Sequence, residues 1–147
     1  MDSDLRHLLL AAKAAQDAGD LEAALQGLER ASAQHPDDHR IHTNCANLLW
    51  LGGDAAAAVD RFQRALNLCP DAALPLRGLG NALRDLNAFE DADAAYRQSR
   101  NIDDNALTAW NHSQLLVGLE RYKEAYQLSE RRLELSALEA YRPGRGT

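Results

Sequence analysis

The chain has 147 residues, of which 46% are hydrophobic, so it is long and apolar enough for one folded domain and is not expected to be disordered. Only 5% of the residues are aromatic, and the core must therefore be built from Leu and Ala, which favours packed helices over a β-sandwich. The net charge of −6 argues against nucleic-acid binding, which needs a basic surface.

The N-terminal apolar run lacks the pattern of a signal peptide, because acidic residues precede it and Lys13 interrupts it. No apolar stretch reaches the length that spans a bilayer. Two cysteines, Cys45 and Cys69, are too few for a disulfide framework in a chain of this size. We therefore expect a cytoplasmic protein that binds neither membranes nor nucleic acid.

Four segments of the chain resemble one another. The first three, 19–38, 53–72 and 87–106, follow at a spacing of 34 residues, and the fourth, 121–139, aligns one residue short of it. A fixed period of this length is the signature of a repeat architecture.

The second segment shows how one unit is built. Its apolar residues recur at the spacing of one helical face, and they are Ala58, Phe62, Ala65, Leu66 and Cys69. Asp54 stands at the N-cap position, and Pro70 ends the helix. Upstream, another apolar face ends at two glycines and comprises Ile41, Cys45, Leu48 and Leu49. Each unit is therefore predicted to be a helix, a tight turn and a second helix.

This organisation resembles the tetratricopeptide repeat family, whose 34-residue pattern is W-x2-L-G-x2-Y, then A-x3-F, then P. The second unit matches these spacings with His42, Cys45, Ala46, Leu49, Ala58, Phe62 and Pro70. The first unit matches with Leu8, Ala11, Ala12, Ala15, Ala24, Leu28 and Pro36. The third matches with Leu76, Leu79, Gly80, Leu83, Ala92 and Tyr96, and has Asp104 in place of the proline. The fourth is the loosest, with Ser113, Leu116 and Ala125 in place but Ser129 and Ala137 where the aromatic residue and the proline belong.

The resemblance implies an all-α fold, a right-handed superhelical solenoid of antiparallel helix-turn-helix repeats. The units are expected at about 5–38, 39–72, 73–105 and 106–139, with a tail or linker at 140–147. Small residues recur where the two helices of a unit cross, and they let the backbones approach closely. They are Ala12, Ala46, Gly80 and Ser113 on the first helices and Ala24, Ala58, Ala92 and Ala125 on the second.

In this family the first helices line a concave groove that binds a peptide or a partner protein. The groove residues implied here are Arg6, Lys13, Arg40, Asn44, Asn47, Trp50, Arg77, Asn81, Arg84, Trp110, Asn111 and Gln114. Five of them are basic, against two acidic residues at groove positions, Asp17 and Asp85, which favours an acidic peptide or a C-terminal carboxylate. The amides suit a peptide backbone because they both donate and accept hydrogen bonds.

Less specific interpretations of the same residues stay open at this level. The arginines could be ordinary solvated side chains, and either tryptophan could pack inside a hairpin; in an unshifted register Trp110 would take a structural position. Asparagine is common at these positions across the family. The sequence also leaves open whether the last helix covers the end of the solenoid or packs against another copy.

No catalytic motif and no cofactor-binding motif is present, so we expect a binding module without catalysis of its own. His35, His39 and His42 stand close together in sequence, but their segment joins two units and its other residues suit a turn and an N-cap. The alternative is a partner- or substrate-recruiting region of a larger bacterial glycosyltransferase or methyltransferase. Binding of RNA by a helical array is disfavoured by the charge.

Overall fold

The structure, a computed structural model, describes residues 3–141, which form eight α-helices and no strand. The helices are α1 (Ser3–Asp17), α2 (Leu21–Gln34), α3 (His39–Leu51), α4 (Ala55–Leu68), α5 (Ala73–Asp85), α6 (Phe89–Ile102), α7 (Ala106–Gly118) and α8 (Tyr122–Ala140). The predicted all-α class is confirmed. None of these helices is both long and apolar enough to cross a membrane.

The turn inside each helical pair has the same backbone geometry. Its central residue has a positive φ, of 83° at Gly19, 90° at Gly53, 62° at Asn87 and 61° at Glu120. The following amide bonds back to a carbonyl five residues earlier, as from Asp54 N to Leu49 O at 2.9 Å. This pattern ends the first helix and reverses the chain within three residues.

Side-chain caps begin several helices, and one of them is the predicted cap at Asp54. Asp54 accepts a hydrogen bond from Ala57 N at 3.1 Å and thereby begins α4. Asp20 and Asn105 cap α2 and α7 in the same way. α4 ends at Leu68 with Cys69 as its C-cap, immediately before Pro70, because the residue before a proline is driven out of the helical conformation.

Each helix packs against its neighbours in sequence, and α3 also contacts α5, as α5 contacts α7. No two of α2, α4, α6 and α8 approach each other in this way. From α3 onward, the first helices of the pairs therefore lie closer together than the second helices, and the array curves around them. The concave face is formed by α1, α3, α5 and α7.

The core fills the space within and between the pairs. All eight small residues predicted at the helix crossings are buried. Ala46 and Ala58 share one cluster with Phe62 and Ala82, which joins α3, α4 and α5. Tyr96 is fully buried and lies so close to Gly80 that an added Cβ would stand 2.7 Å from its ring. The alanines at the repeat period thus occupy places that a larger side chain would not fit.

The fourth unit is spaced one residue closer than the others because the connection between α6 and α7 is one residue shorter. α2, α4 and α6 begin 34 residues apart, whereas α8 begins 33 residues after α6. The connections 35–38 and 69–72 have four residues, but the connection 103–105 has three. Because the missing residue precedes α7, Trp110 takes the same place on α7 as Arg77 on α5. α8 continues through Ala140, and residues 142–147 of the predicted tail lie outside the described residues.

Candidate peptide-binding groove

All twelve predicted groove residues lie on the first helices of the pairs, α1, α3, α5 and α7. The structure leaves seven of them exposed, namely Arg6, Lys13, Arg40, Asn44, Asn47, Trp110 and Gln114. Four are half-buried, namely Trp50, Arg77, Arg84 and Asn111, and Asn81 is buried. The predicted set therefore lies on the helices that form the concave face, but its members differ in what they can offer a ligand.

Three of the five groove cations have a carboxylate nearby. Arg40 contacts Asp38 at 2.9 Å, and its hydrogen bonds hold the pKa of that carboxyl below its usual range. Lys13 lies 3.8 Å from Asp17, and Arg84 lies 3.5 Å from Asp85. All three pairs reach the solvent at the surface and are therefore weak, because water screens the charges. The sequence count of groove charges omitted Asp38, which offsets Arg40.

Arg77 differs from these three. Its side chain is half-buried on α5, and it forms no ion pair with any residue between 3 and 141. Burial lowers the pKa of its guanidinium, and the more distant carboxylate of Asp103 offsets this only in part. The guanidinium nevertheless stays protonated at any physiological pH. The middle of the groove thus holds a positive charge that is partly removed from water.

Asn81 lies one turn after Arg77 and is engaged inside the protein. Its Oδ1 accepts hydrogen bonds from the hydroxyl of Tyr96 at 2.5 Å and from Nδ2 of Asn111 at 3.2 Å. This oxygen is therefore not available to a peptide. Among the amides, Asn44, Asn47 and Gln114 are the exposed ones.

The two tryptophans are placed differently. Trp50 on α3 donates a hydrogen bond from Nε1 to Oδ2 of Asp85 on α5, at 2.6 Å, and so bridges two neighbouring first helices. Trp110 on α7 is 41% exposed, and the guanidinium of Arg132 lies 4.5 Å from its ring centre. Trp110 is thus not enclosed within its hairpin.

Two clefts open on the concave face. One, of about 490 Å³, lies between α1 and α3, which do not come into direct backbone contact. Leu9, Leu10 and Leu28 form its apolar lining, with Arg6 and Lys13 among its polar residues. The other, of about 230 Å³, lies between the starts of α3 and α5 and includes Arg40, Asn44 and Leu74. Both combine apolar surface with a cation, which suits the side chains of an acidic, partly apolar segment.

Outside the groove, two of the titratable residues considered in the sequence, His42 and Cys45, are buried, whereas His35, His39 and Cys69 are half-buried. His42 uses both ring nitrogens, since Nδ1 accepts from Arg61 Nε at 3.1 Å and Nε2 donates to Pro36 O at 2.7 Å. Within residues 3–141 no three His, Cys, Asp or Glu side chains are arranged to hold a metal ion. Cys45 is fully buried, and burial raises the pKa of its thiol to about 11.

Sequence reasoning missed a buried charged cluster between α6 and α7. His112 Nε2 donates to Oδ1 of Asp93 at 2.6 Å, and Arg97 and Arg121 bond to the same carboxylate. Burial lowers the pKa of His112 despite the nearby carboxylate. Burial alone would raise the pKa of Asp93, but its hydrogen bonds from His112, Arg97 and Arg121 lower it. The cluster ties the third pair of helices to the fourth and has no nucleophile among its partners.

At the level of sequence, no family model and no curated protein matches the chain. Among solved structures it is similar to MamA, with a TM-score of 0.84 and 19% identity over 94% of this chain and 81% of that one. It is also similar to the first TPR of Spaghetti (RPAP3), bound to an HSP90 peptide, with a TM-score of 0.77 and 17% identity over 82% of this chain and 99% of that one. The O-GlcNAc transferase of Thermobaculum terrenum matches with a TM-score of 0.73 and 22% identity, over 79% of this chain and 23% of that enzyme.

These likenesses establish the fold, and they agree with the repeated turns, the buried small residues and the curvature described above. Residues 3–141 form a solenoid of four helical pairs that has the fold of tetratricopeptide-repeat proteins.

Proposed function

We propose that this chain is a protein-interaction module whose concave face binds an extended, acidic segment of a partner protein. The observation that carries the proposal is Arg77, a half-buried cation in the middle of the groove that forms no ion pair among residues 3–141 and is compensated only in part by the more distant Asp103. A partly desolvated charge is costly unless an opposite charge compensates it. A carboxylate of the ligand would supply that charge.

The surroundings of Arg77 support the same ligand class. Arg84 follows two turns later on α5, and exposed amides stand on the neighbouring first helices at Asn47 and Gln114. A segment that crosses the groove would meet positive charge on α5 and backbone-binding amides on either side. The cleft between α1 and α3 offers an apolar floor for one of its side chains.

The peptide-bound neighbour supports this mode of binding by its fold. The peptide in that structure, SRMEEVD, has three acidic residues and one basic residue, and it is bound by a protein that shares the present fold. Identity to that protein is 17%, so the particular peptide is not carried over to this chain.

The test uses a library of fluorescein-labelled peptides, with acidic sequences and their amide counterparts, in fluorescence anisotropy. We expect acidic peptides to bind more tightly than the amide versions, and their affinity to fall with added salt, because the attraction is electrostatic. The double substitution Arg77→Glu with Arg84→Glu should weaken binding by at least about tenfold, which corresponds to about 1.4 kcal/mol.

A matched control separates groove chemistry from net charge. Arg30→Glu with Arg64→Glu makes the same change in charge at exposed positions on the second helices, α2 and α4. This control should retain binding, and both variants should keep the helical circular dichroism of the wild type. Equal loss in the two double variants would reject a specific role for the groove.

A second candidate is favoured by one observation. The Thermobaculum terrenum O-GlcNAc transferase contains a region of this fold that makes up less than a quarter of the enzyme chain. By analogy of fold, the present chain could be part of a larger glycosyltransferase or methyltransferase and recruit its partner or substrate. The reading frame around its gene decides between the two: a continuous catalytic domain supports the recruiting region, and its absence supports the free adaptor.

A further inference from the structure

The outer face of α8 has no neighbour within the described chain. In each of the three preceding pairs the second helix packs against the first helix of the following pair, as α2 does on α3, α4 on α5 and α6 on α7. On the corresponding face α8 exposes large side chains, with Tyr122 at 61%, Tyr126 at 68% and Leu133 at 56%. Contiguous exposed apolar surface marks protein contact sites, whereas scattered single apolar side chains are normal.

The residues on this face differ from those that receive the next pair elsewhere. Phe62 on α4 packs against Gly78 of α5, and the ring of Tyr96 on α6 lies 5.6 Å from that of His112 on α7. Ser129 takes the corresponding place on α8 and has no ring to insert. The face therefore lacks the aromatic contact by which the α4 and α6 faces receive the next pair.

The spacing on α8 is that of a helix-pairing seam. Residues alternate four and three apart along one stripe, which we call the α8 seam: Tyr122, Tyr126, Ser129, Leu133, Ser136 and Ala140. Alternating steps of four and three residues place side chains on one stripe of a helix, and in coiled coils two helices pack side by side along such stripes. The large side chains lie toward the N-terminal half of the stripe and the small ones toward its C-terminal end.

This gradient makes the seam complementary to itself in the antiparallel sense. When two copies align head to tail, Tyr122 meets Ala140 of the second copy and Tyr126 meets Ser136. The central layer joins Ser129 to Leu133. Each layer then combines a larger with a smaller side chain, as close helix packing requires, and a two-fold axis repeats every contact. A parallel arrangement would instead place tyrosine against tyrosine and leave the small end unfilled.

Two charged residues beside the C-terminal half of the seam, Arg132 and Glu139, are engaged within their own unit. The guanidinium of Arg132 covers Trp110, and Oε1 of Glu139 accepts a hydrogen bond from Ala106 N at 3.0 Å. These side chains are therefore held on α7 and do not cover the apolar stripe.

We propose that two copies of this chain associate through their α8 seams, antiparallel about a two-fold axis. α8 has 19 residues and is about 28 Å long. One stripe along a helix of this length offers a small contact area, whereas stable interfaces bury about 800 Å² per partner. Association should therefore depend on concentration. The seam contains none of the groove residues, so a dimer would carry two separate grooves and would favour partners with two binding segments.

The test is sedimentation velocity of the wild type over a range of concentrations, compared with two variants. Tyr126→Glu introduces a charge into the seam and should shift the dimer to monomer. Leu138→Glu is the matched control, because Leu138 is 62% exposed on the same helix but lies off the seam. We expect the control to sediment as the wild type does. A wild type that stays monomeric throughout, or a dimer that persists in Tyr126→Glu, would overturn the proposal.

Cysteine cross-linking tests the orientation. Ser129→Cys and Leu133→Cys proteins, each in a Cys69→Ser background, should form a mixed disulfide when combined and oxidised. Ser129→Cys protein that links mainly to itself would indicate a parallel pair and reject the antiparallel seam. If Tyr126→Glu lowers the melting temperature, the Ser136→Tyr variant takes its place in the sedimentation test. It should also prevent pairing, since it puts a second large side chain in the layer that holds Tyr126 of the other copy.

Discussion

The ring of Phe62 lies directly against Gly78 of the following pair, with no room for a Cβ atom between them. Phe62 is fully buried, so its ring cannot turn out to solvent, and the contact holds α4 against α5. The absence of a side chain at Gly78 is therefore a requirement of the stacking.

Gly78→Ala should destabilise the fold by about 1–3 kcal/mol, because the added methyl group forces the buried ring or the helix to move. Urea unfolding followed by circular dichroism measures the effect. Gly118→Ala is the control, since an added Cβ there meets nothing within 4 Å and alanine favours the helix. An equal loss in both variants would show that glycine itself, rather than the contact with Phe62, is needed.

Ala58→Trp should lower the melting temperature strongly, whereas Ala56→Trp should not. Ala58 is fully buried among α3, α4 and α5, and Ala56 is exposed two residues earlier on the same helix. A large side chain in a packed core typically costs about 1–3 kcal/mol or more. Similar melting temperatures for the two variants would contradict the register of the repeat.

Glu120→Gly should stabilise the chain by about 0.5–1 kcal/mol. Glu120 holds the left-handed conformation, with φ of 61°, which costs a side-chain-bearing residue more than it costs glycine. The converse substitution, Gly53→Glu at φ of 90°, should be destabilising. Thermal unfolding gives the melting temperatures of both variants for comparison with the wild type. A lower melting temperature in Glu120→Gly would contradict the expected relief of backbone strain.

Stability should fall as the pH drops from about 7 to 5, because burial lowers the pKa of His112 in the folded state. Below about 6.5, the ordinary pKa of histidine, the unfolded chain takes up a proton that the folded chain does not, and this favours unfolding. Asp93, whose pKa is also lowered, adds a further loss once the pH falls below about 4.

The variant His112→Gln should show a flatter dependence between pH 7 and 5, although it is less stable at neutral pH. His7→Gln is the control, because His7 is exposed. Denaturant midpoints measured across this range give the slope for each protein. An unchanged slope in His112→Gln would assign the pH effect to other groups.

The two thiols should react at very different rates. Cys45 is fully buried with a pKa of about 11, so little thiolate forms and no reagent reaches it, whereas Cys69 is half-buried at the end of α4. In a thiol-exchange assay at pH 8, we expect one thiol to react quickly and the second only after unfolding. The Cys69→Ser protein should lose the fast phase; if the fast phase remains, Cys45 is more accessible than its burial indicates.

Much of the fold was predictable because it depends on residues close in sequence or one repeat apart. The N-cap at Asp54, the helix end before Pro70 and the burial of Ala58 follow from positions within one unit. The pair of Arg40 and Asp38 could also have been inferred, because the two residues lie within one turn at the start of α3.

The burial and the hydrogen-bond partners of each groove residue could not be predicted in the same way, because they depend on residues far apart in sequence. Trp50 and Asp85 are 35 residues apart, and Tyr96 reaches Asn81 from another helix. The family position of Asn81 indicated a groove amide, but a buried hydroxyl and a neighbouring amide occupy its oxygen.

The helices, the cap at Asp54, the repeat period and the small residues at the crossings follow from the amino-acid pattern alone, because these are local demands that recur from unit to unit. Which side chains are free to act depends on how the helical pairs pack together. The stacking of one pair on the next leaves Arg77 half-buried without an ion-pair partner among the described residues, and it leaves the α8 seam without a neighbour there. Burial and charge pairing depend on how the units pack together, so the spacing of residues along a single helix does not predict them.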